Sequence, residues 1–171
     1  MPNILGIIPA RAGSKRLPNK NKLPFDGKPL IQYIIEAGQK STRITHLVVN
    51  TDDTDILAME TNFPSLTFLK RPEELAKDGS PAIDYVQYTI KRFKQEGVSF
   101  EAVVILQPTS PLTLPEDIDG TINLLLNSDA DSSVSVMKLD HATHPVKMKT
   151  MEGQKLKPYI EEERGRMAEH E

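Results

Sequence analysis

The chain has 171 residues and a formal net charge of −3, and its content of 38% hydrophobic and 26% charged residues is that of a folded globular protein. The absence of cysteine excludes disulfides, thiolate metal sites and cysteine nucleophiles. No apolar run reaches the roughly 18 residues of a membrane-spanning helix and no signal peptide is visible, so we expect a cytoplasmic protein without membrane contact.

Positive charge is concentrated near the N-terminus. Six basic residues and one acidic residue fall within the first 30 positions, which leaves the rest of the chain with a net charge of −8. An acidic protein with a single basic segment is not typical of nucleic-acid binding, and no aromatic platform for single strands lies nearby. The distribution predicts a small anionic ligand.

The predicted elements alternate between strands and helices. Apolar runs with strand character occur at residues 4–8, 47–49, 66–69, 102–106 and 134–139. The first and fourth are nearly uninterrupted, as expected for central parallel strands. Apolar residues with helical spacing lie between the runs: Leu30, Tyr33, Ile34 and Ala37; Ile83, Val86, Ile90 and Phe93; Ile118, Ile122 and Leu125. Helix starts are indicated by Asp52 or Asp53, by Ser80-Pro81, and by Thr113 with Pro115.

This alternation predicts an α/β fold with a three-layer, Rossmann-like and mostly parallel sheet. We expect residues 1–139 to form this domain. Residues 140–171 contain no strong strand and end in an acidic tail, so we expect them to pack on a partner or to be poorly ordered.

A basic loop, residues 11–22, follows the first strand, where ligands of open α/β sheets bind. Gly13 permits the close backbone approach that a phosphate-binding nest requires, and Ser14 adds a hydroxyl donor. Arg11 offers a planar fork to phosphate oxygens, while Lys15 and Lys20 act as mobile charges. The alternative is a solvated loop whose bases aid solubility, but its position, the Gly-Ser pair and the charge asymmetry favour a phosphate site.

Other features of the loop limit the kind of site. The Asn21 amide can donate and accept, which suits a ribose or a base. The patterns G-x-x-x-x-G-K-[ST] and G-x-G-x-x-G are both absent. By motif, the chain is therefore neither a Walker-type NTPase nor a dinucleotide-binding dehydrogenase.

Four segments together resemble the acylneuraminate cytidylyltransferases, also called CMP-sialic acid synthetases. They are Ile8-Pro-Ala-Arg-Ala-Gly-Ser-Lys-Arg-Leu-Pro-Asn-Lys-Asn21, Val49-Asn-Thr-Asp52, Lys70-Arg-Pro-Glu-Glu-Leu-Ala-Lys-Asp78 and Leu106-Gln-Pro-Thr-Ser-Pro111. The resemblance implies the sheet of the nucleotide-diphospho-sugar transferases. It also implies an enzyme that joins CTP to a nine-carbon α-keto sugar acid, such as sialic, legionaminic or pseudaminic acid, and releases pyrophosphate.

The resemblance also implies roles for particular residues. Arg11, Lys15 and Lys20 would be catalytic through charge neutralisation, because in-line attack on the α-phosphate needs positioning more than covalent catalysis. The implied nucleotide-binding set is Arg11, Ser14, Lys15, Lys20, Asn21, Arg71, Ser80 and Gln107.

Several of these residues have simpler interpretations. Arg71 can cap a strand and turn, and residues 107–111 can form an ordinary turn. Asp52 and Asp53 resemble a metal pair, but N-capping of the next helix is favoured. His141 and His144 lack metal-ligating neighbours at useful spacing, so we expect no metal ligand among the residues present.

The resemblance implies Mg²⁺ as a cofactor, held by two aspartates that we expect beyond Glu171, and a homodimer formed through an arm that starts at residue 140. Two alternatives remain beside the nine-carbon acceptor. One is cytidylyl transfer to an octulosonic acid (Kdo), and the other is a truncated, non-catalytic nucleotide-binding relative.

Overall fold

The computed structural model describes residues 2–14, 17–77, 79–137 and 148–159. The chain divides into two compact units, Met1–Ser133 and Val134–Glu171, each described here by itself. The predicted boundary between residues 139 and 140 lies outside the described residues. None of the helices in the described ranges is long and apolar enough to cross a bilayer.

The described residues of the first unit form six strands and four α-helices. The strands are β1 (Ile4–Ala10), β2 (Pro24–Phe25), β3 (Lys28–Pro29), β4 (His46–Thr51), β5 (Thr67–Lys70) and β6 (Ala102–Ile105). The helices are α1 (Leu30–Lys40), α2 (Thr54–Ala58), α3 (Ala82–Gln95) and α4 (Pro115–Leu126), with 3₁₀ helices at Lys20–Lys22, Met59–Asn62 and Glu73–Leu75.

Four strands form one parallel sheet in the order β5-β4-β1-β6. Strand β1 lies inside the sheet, and Ile4, Leu5, Ile7 and Ile8 are fully buried. Because successive side chains of a strand point to opposite faces, Ile4 and Ile8 enter one core while Leu5 and Ile7 enter the other. The uninterrupted apolar run therefore correctly predicted a central strand.

Helices cover both faces of this sheet. Buried residues of α1, α2 and α4 share the core of Ile4 and Ile8. Tyr85, Val86 and Phe93 of α3 share the core of Leu5 and Ile7. The predicted three-layer α/β architecture is thus confirmed, although Ile83, expected on the apolar stripe of α3, is exposed.

The predicted helix starts are largely correct. Asp53 caps α2 and accepts hydrogen bonds from the backbone N–H groups of Asp55 and Ile56. Helix α3 begins directly after Pro81, and α4 begins at Pro115. The cap position of α4 is occupied by Leu114 rather than Thr113, and the Asp117 carboxylate accepts the Leu114 N–H.

Three expectations about strands need correction. Strand β6, expected to be central, is an edge strand among the described residues, and Ile105 is 42% exposed. An apolar run indicates a tendency to be buried, not the number of neighbouring strands. The strand expected at residues 134–139 is absent in its described part, since residues 134–137 have no regular structure. The short hairpin β2–β3, which turns at Asp26 and Gly27 with positive φ angles, was not predicted.

The second unit contains a hairpin of β7 (Lys149–Glu152) and β8 (Lys155–Pro158). The expectation of no strong strand in residues 140–171 is therefore wrong at this point. Its lysines and glutamate are residue types that are depleted in strands, and the turn depends on Gly153, whose φ is +62°.

Candidate functional site

The candidate site lies at the carboxyl edge of the parallel sheet. Arg11 follows β1, Asp52 follows β4, Arg71 follows β5, and Gln107 lies just beyond β6. Because these strands are parallel, their carboxyl ends meet at one edge, where ligands of open α/β sheets bind.

The basic loop is anchored at both ends by the residues that connect β4 to α2. At the start of the loop, the backbone N–H of Ala12 donates to Asp52 Oδ1 at 2.9 Å. At its end, Lys22 Nζ lies 3.1 Å from Asp53 Oδ1 and 2.7 Å from Asp55 Oδ2. These contacts with residues that follow β4 therefore fix the positions of both ends of the loop.

The positive charge of Lys22 is compensated by two carboxylates. Hydrogen bonds to Asp55 and Asp53 raise the pKa of Lys22 above its ordinary value and outweigh the opposing effect of burial. Its ammonium is thus charged and already paired with carboxylates, which makes Lys22 an anchor of the loop rather than a group directed at a ligand.

A pocket of about 620 Å³ opens beside the loop. Its volume lies within the range of roughly 300–1,000 Å³ found for small-molecule sites. One wall is the basic loop, and the other is the segment that follows β5. The lining residues are Ala12, Gly13, Ser14, Pro18, Asn19, Ala76 and Lys77.

The second wall is folded by its own hydrogen bonds. The Ser80 hydroxyl donates to the Glu74 carbonyl at 3.0 Å, and the Ser80 N–H donates to the Lys77 carbonyl at 3.0 Å. Lys77 is exposed, and its ammonium makes no hydrogen bond or ion pair with the described residues. The two walls thus present backbone amides, a serine hydroxyl and a lysine to one space, which suits an anion.

Behind this pocket, Arg71 is held in a buried network. Its backbone N–H donates to the Thr51 carbonyl at 2.7 Å, and its side chain bonds to Asn50. Burial lowers the pKa of Arg71, whereas the nearby Asp52 opposes that shift. Arg71 as a residue is only 4% exposed, and it does not line the pocket.

The predicted site residues take different positions around this edge. Ser14 lines the pocket, as does its neighbour Gly13. Arg11, Lys20 and Ser80 are half-buried near it, Asn21 and Arg71 are buried, and Gln107 is exposed beyond β6. Lys15, His141 and His144 lie outside the described residues.

The carboxylates of Asp52 and Asp53 bind groups of the protein itself. Asp53 caps α2 and pairs with Lys22, so the favoured capping interpretation is confirmed, and Asp52 holds the Ala12 N–H. In the described ranges, no group of three or more His, Cys, Asp or Glu side chains is arranged to hold a metal ion.

Sequence reasoning missed two residues of this site, Lys77 and Asn50. Lys77 belongs to the segment 70–78, which was recognised as a motif, so its charge was a usable signal. Asn50 belongs to the recognised segment 49–52, but the segment did not indicate its role, because that role depends on contacts with Arg71 and Thr89, which are 21 and 39 positions away.

Comparisons with known proteins agree with this geometry. The family model described as "Cytidylyltransferase" matches residues 5–159. The CMP-N,N'-diacetyllegionaminic acid synthase of Legionella pneumophila is 41% identical over 121 residues, which cover 71% of this chain and 52% of that protein. The N-acylneuraminate cytidylyltransferase of Escherichia coli is 39% identical over 108 residues, which cover 63% of this chain and 25% of that protein.

A solved structure shows the same fold. The CMP:2-keto-3-deoxy-manno-octonic acid synthetase in complex with CTP aligns with a TM-score of 0.63 at 24% identity, over 75% of this chain and 49% of that one. The chain spans about half the length, or less, of these relatives. With its parallel sheet, its anchored basic loop and a family match over most of its residues, the chain belongs to the cytidylyltransferase family.

Proposed function

We propose that this chain carries the CTP-binding part of an enzyme that joins CTP to a nine-carbon α-keto sugar acid of the sialic, legionaminic or pseudaminic type. The observation that supports this most directly is the pocket between the basic loop and Lys77, at the carboxyl edge of a cytidylyltransferase sheet. The relatives named for legionaminic and acylneuraminic acid point to the class of acceptor.

In this proposal the triphosphate lies against the basic loop. Ser14 and the backbone around Gly13 donate to phosphate oxygens, and Arg11, Lys15 and Lys20 neutralise their charge. Lys77 approaches the same phosphates from the opposite wall. Asn21, Arg71, Ser80 and Gln107 are assigned to the nucleoside side of the site.

The reaction that fits these groups is an in-line displacement. The anomeric hydroxyl oxygen of the sugar acid forms a bond to the α-phosphorus and gives up its proton to solvent, and the bond from that phosphorus to the bridging oxygen breaks to release pyrophosphate. Cations around the triphosphate stabilise the charge that develops on the leaving group. None of the groups assigned here acts as a covalent nucleophile.

Mg²⁺ stays a prediction in this scheme. The described residues do not fit a magnesium site, because Asp52 and Asp53 are engaged by the loop and by α2, and no group of three or more His, Cys, Asp or Glu side chains among them could hold a metal ion. We therefore assign no step to the metal, and we propose that its ligands lie outside these residues. A homodimer and a cytoplasmic location, where CTP is found, complete the proposal.

The test is an assay of pyrophosphate release with CTP, Mg²⁺ and a panel of sialic, legionaminic, pseudaminic and octulosonic acids. We expect release with a nine-carbon acid. Release with octulosonic acid alone would support the alternative acceptor, which relatives acting on 8-amino-3,8-dideoxy-manno-octulosonate also favour. CTP binding without release for any acceptor would indicate a non-catalytic relative, and failure to bind CTP would contradict the proposal.

A further inference from the structure

Arg71 is a buried cation without a carboxylate partner among the described residues. Its side chain has two hydrogen-bond acceptors, both from Asn50: Oδ1 lies 2.5 Å from Nε, and the carbonyl oxygen lies 2.9 Å from Nη2. The ring of Tyr85 covers the guanidinium at 4.6 Å. Burying a charge without an opposite charge is costly, so this arrangement calls for an explanation.

Asn50 is itself held in one orientation. Its side chain is fully buried, and Nδ2 donates to the Thr89 hydroxyl at 3.0 Å. That hydroxyl donates to the Tyr85 carbonyl at 2.8 Å. The amide of Asn50 is therefore fixed from α3 on its nitrogen side and directed at Arg71 on its oxygen side.

These contacts leave part of the guanidinium available. An arginine side chain has five N–H donors, and the two bonds to Asn50 leave three of them without an acceptor in the described part of the chain. Arg71 lies close to the start of the basic loop, because its backbone N–H donates to Thr51, whose neighbour Asp52 accepts the N–H of Ala12.

Two cations of the same site thus have different hydrogen-bond partners. Lys22 is bound by two carboxylates and anchors the loop. Arg71 is bound by a neutral amide and a carbonyl, which fix its orientation without cancelling its charge. The contrast points to a cation that is kept for a ligand.

We propose that Asn50 is a positioning residue that presents Arg71 to an acceptor group on the nucleoside side of the bound nucleotide, and that the neutrality of the Asn50 amide keeps the charge of Arg71 available. The proposal rests on the proposed function, since CTP is taken as the ligand. A carboxylate at position 50 would offer the same oxygen to Nε, but it would pair with the charge that the ligand requires.

The decisive variant is Asn50→Asp, with CTP affinity measured by titration calorimetry and stability by thermal unfolding. We expect the dissociation constant for CTP to rise tenfold or more while the melting temperature is retained. A purely structural role predicts instead that affinity and stability fall together. The matched control is Asn127→Asp at the end of α4. With the helical rise per residue, this position lies about 18 Å along α4 from the edge of the sheet that carries the site. We expect no change in CTP affinity for this control.

A second pair of variants covers the case in which Asn50→Asp does not fold. Asn50→Ser removes the acceptor of Nε without adding charge, and Arg71→Ala removes the cation itself. We expect both to weaken CTP binding, Arg71→Ala more strongly. Unchanged affinity in either folded variant, or in Asn50→Asp, would overturn this inference while leaving the proposed function intact; absence of CTP binding by the wild-type chain would contradict the proposed function instead.

Discussion

Three cations at the carboxyl edge of the sheet differ in what surrounds them. Lys22 has two carboxylates, Arg71 has an amide and an aromatic ring, and Lys77 has no partner among the described residues. We propose that Arg71 and Lys77, which have no carboxylate partner among the described residues, are available to a ligand, whereas Lys22 is not. This distinction depends on contacts and cannot be seen in a count of basic residues.

Lys77 allows a direct test of this view. The variant Lys77→Ala removes a charge-assisted contact of about 1 kcal/mol, so we expect the dissociation constant for CTP to rise about fivefold. Isothermal titration at moderate ionic strength measures it. Lys94→Ala, an exposed lysine in the last turn of α3, is the control and should leave affinity unchanged. Equal affinities of wild type and Lys77→Ala would remove Lys77 from the site.

At this scale the sequence predicted residues whose position follows from the local chain. Ser14 lies on the pocket wall as expected, because its position after β1 follows from the chain itself. Asn50 and Lys77 were not predicted. The role of Asn50 arises from pairing with residues distant in the chain, and that of Lys77 from the approach of two separate loops.

At the scale of elements, helix α1 approaches the sheet closely through a glycine. A Cβ atom at Gly38 would lie 2.9 Å from Leu47 Cδ2 and 3.1 Å from Leu106 Cδ1. These side chains belong to the well-packed core on that face of the sheet, where space for an additional methyl group is lacking. Gly120 in α4 has no atom within 4 Å of the same position.

The two glycines make a matched pair for stability measurements. Gly120→Ala should raise the free energy of unfolding by about 0.5–1 kcal/mol, which is the helix preference of alanine over glycine. Gly38→Ala gains the same helix preference, but its methyl group overpacks the core at a cost of about 1–3 kcal/mol. We therefore expect a net decrease in the free energy of unfolding. Denaturant unfolding of both variants measures these changes in the free energy of unfolding. A stabilised Gly38→Ala would show that α1 can shift away from the sheet.

Helix α4 is linked to the loop after α1 through Asp119. Its carboxylate accepts hydrogen bonds from the Ser41 hydroxyl and from the N–H and hydroxyl of Thr42. Burial alone raises the pKa of Asp119, but these hydrogen bonds outweigh burial and hold the pKa below its ordinary value. The stabilisation is therefore present above the unfolded-state pKa and is lost as the pH falls through the lower folded-state pKa.

We expect Asp119→Asn to lower the free energy of unfolding by about 1–2 kcal/mol at neutral pH. The difference from wild type should shrink below about pH 4, where the carboxylate takes up a proton. Denaturant unfolding at a series of pH values measures this difference. Asp129→Asn, which changes an exposed carboxylate just after α4, serves as the control, and a pH-independent effect of Asp119→Asn would contradict the assignment.

The sequence predicted those elements whose signals are local. The four sheet strands were found from apolar runs and the starts of α2, α3 and α4 from capping and proline positions. The edge position of β6 was not predictable, because strand order is a property of the assembled sheet. The hairpins β2–β3 and β7–β8 are polar, and they depend on turn residues with positive φ rather than on apolar alternation.

At the scale of the whole molecule, the described candidate site residues all belong to one compact unit. Both core clusters and the anchored loop lie within Met1–Ser133. A unit with its own hydrophobic core can fold alone. Nucleotide binding by this unit can therefore be measured separately from cytidylyl transfer. We assign transfer to the longer proteins of the family.

A chain that ends at Ser133 should consequently bind CTP with a dissociation constant within about threefold of that of the whole chain, a difference of less than 1 kcal/mol. Circular dichroism establishes that the shortened chain is folded, and calorimetry gives its affinity. A folded but non-binding chain would show that residues after 133 contribute to the nucleotide site.

The anchoring of the basic loop at Ala12 and Lys22 also closes it into a ring with the residues that connect β4 to α2. Both ends of residues 13–21 are fixed, so an insertion or deletion between them changes the length of the loop without moving the sheet. Closure entropy rises by only about 0.6 kcal/mol for each doubling of loop length. The length of the loop can therefore vary at little cost in free energy while the sheet stays unchanged.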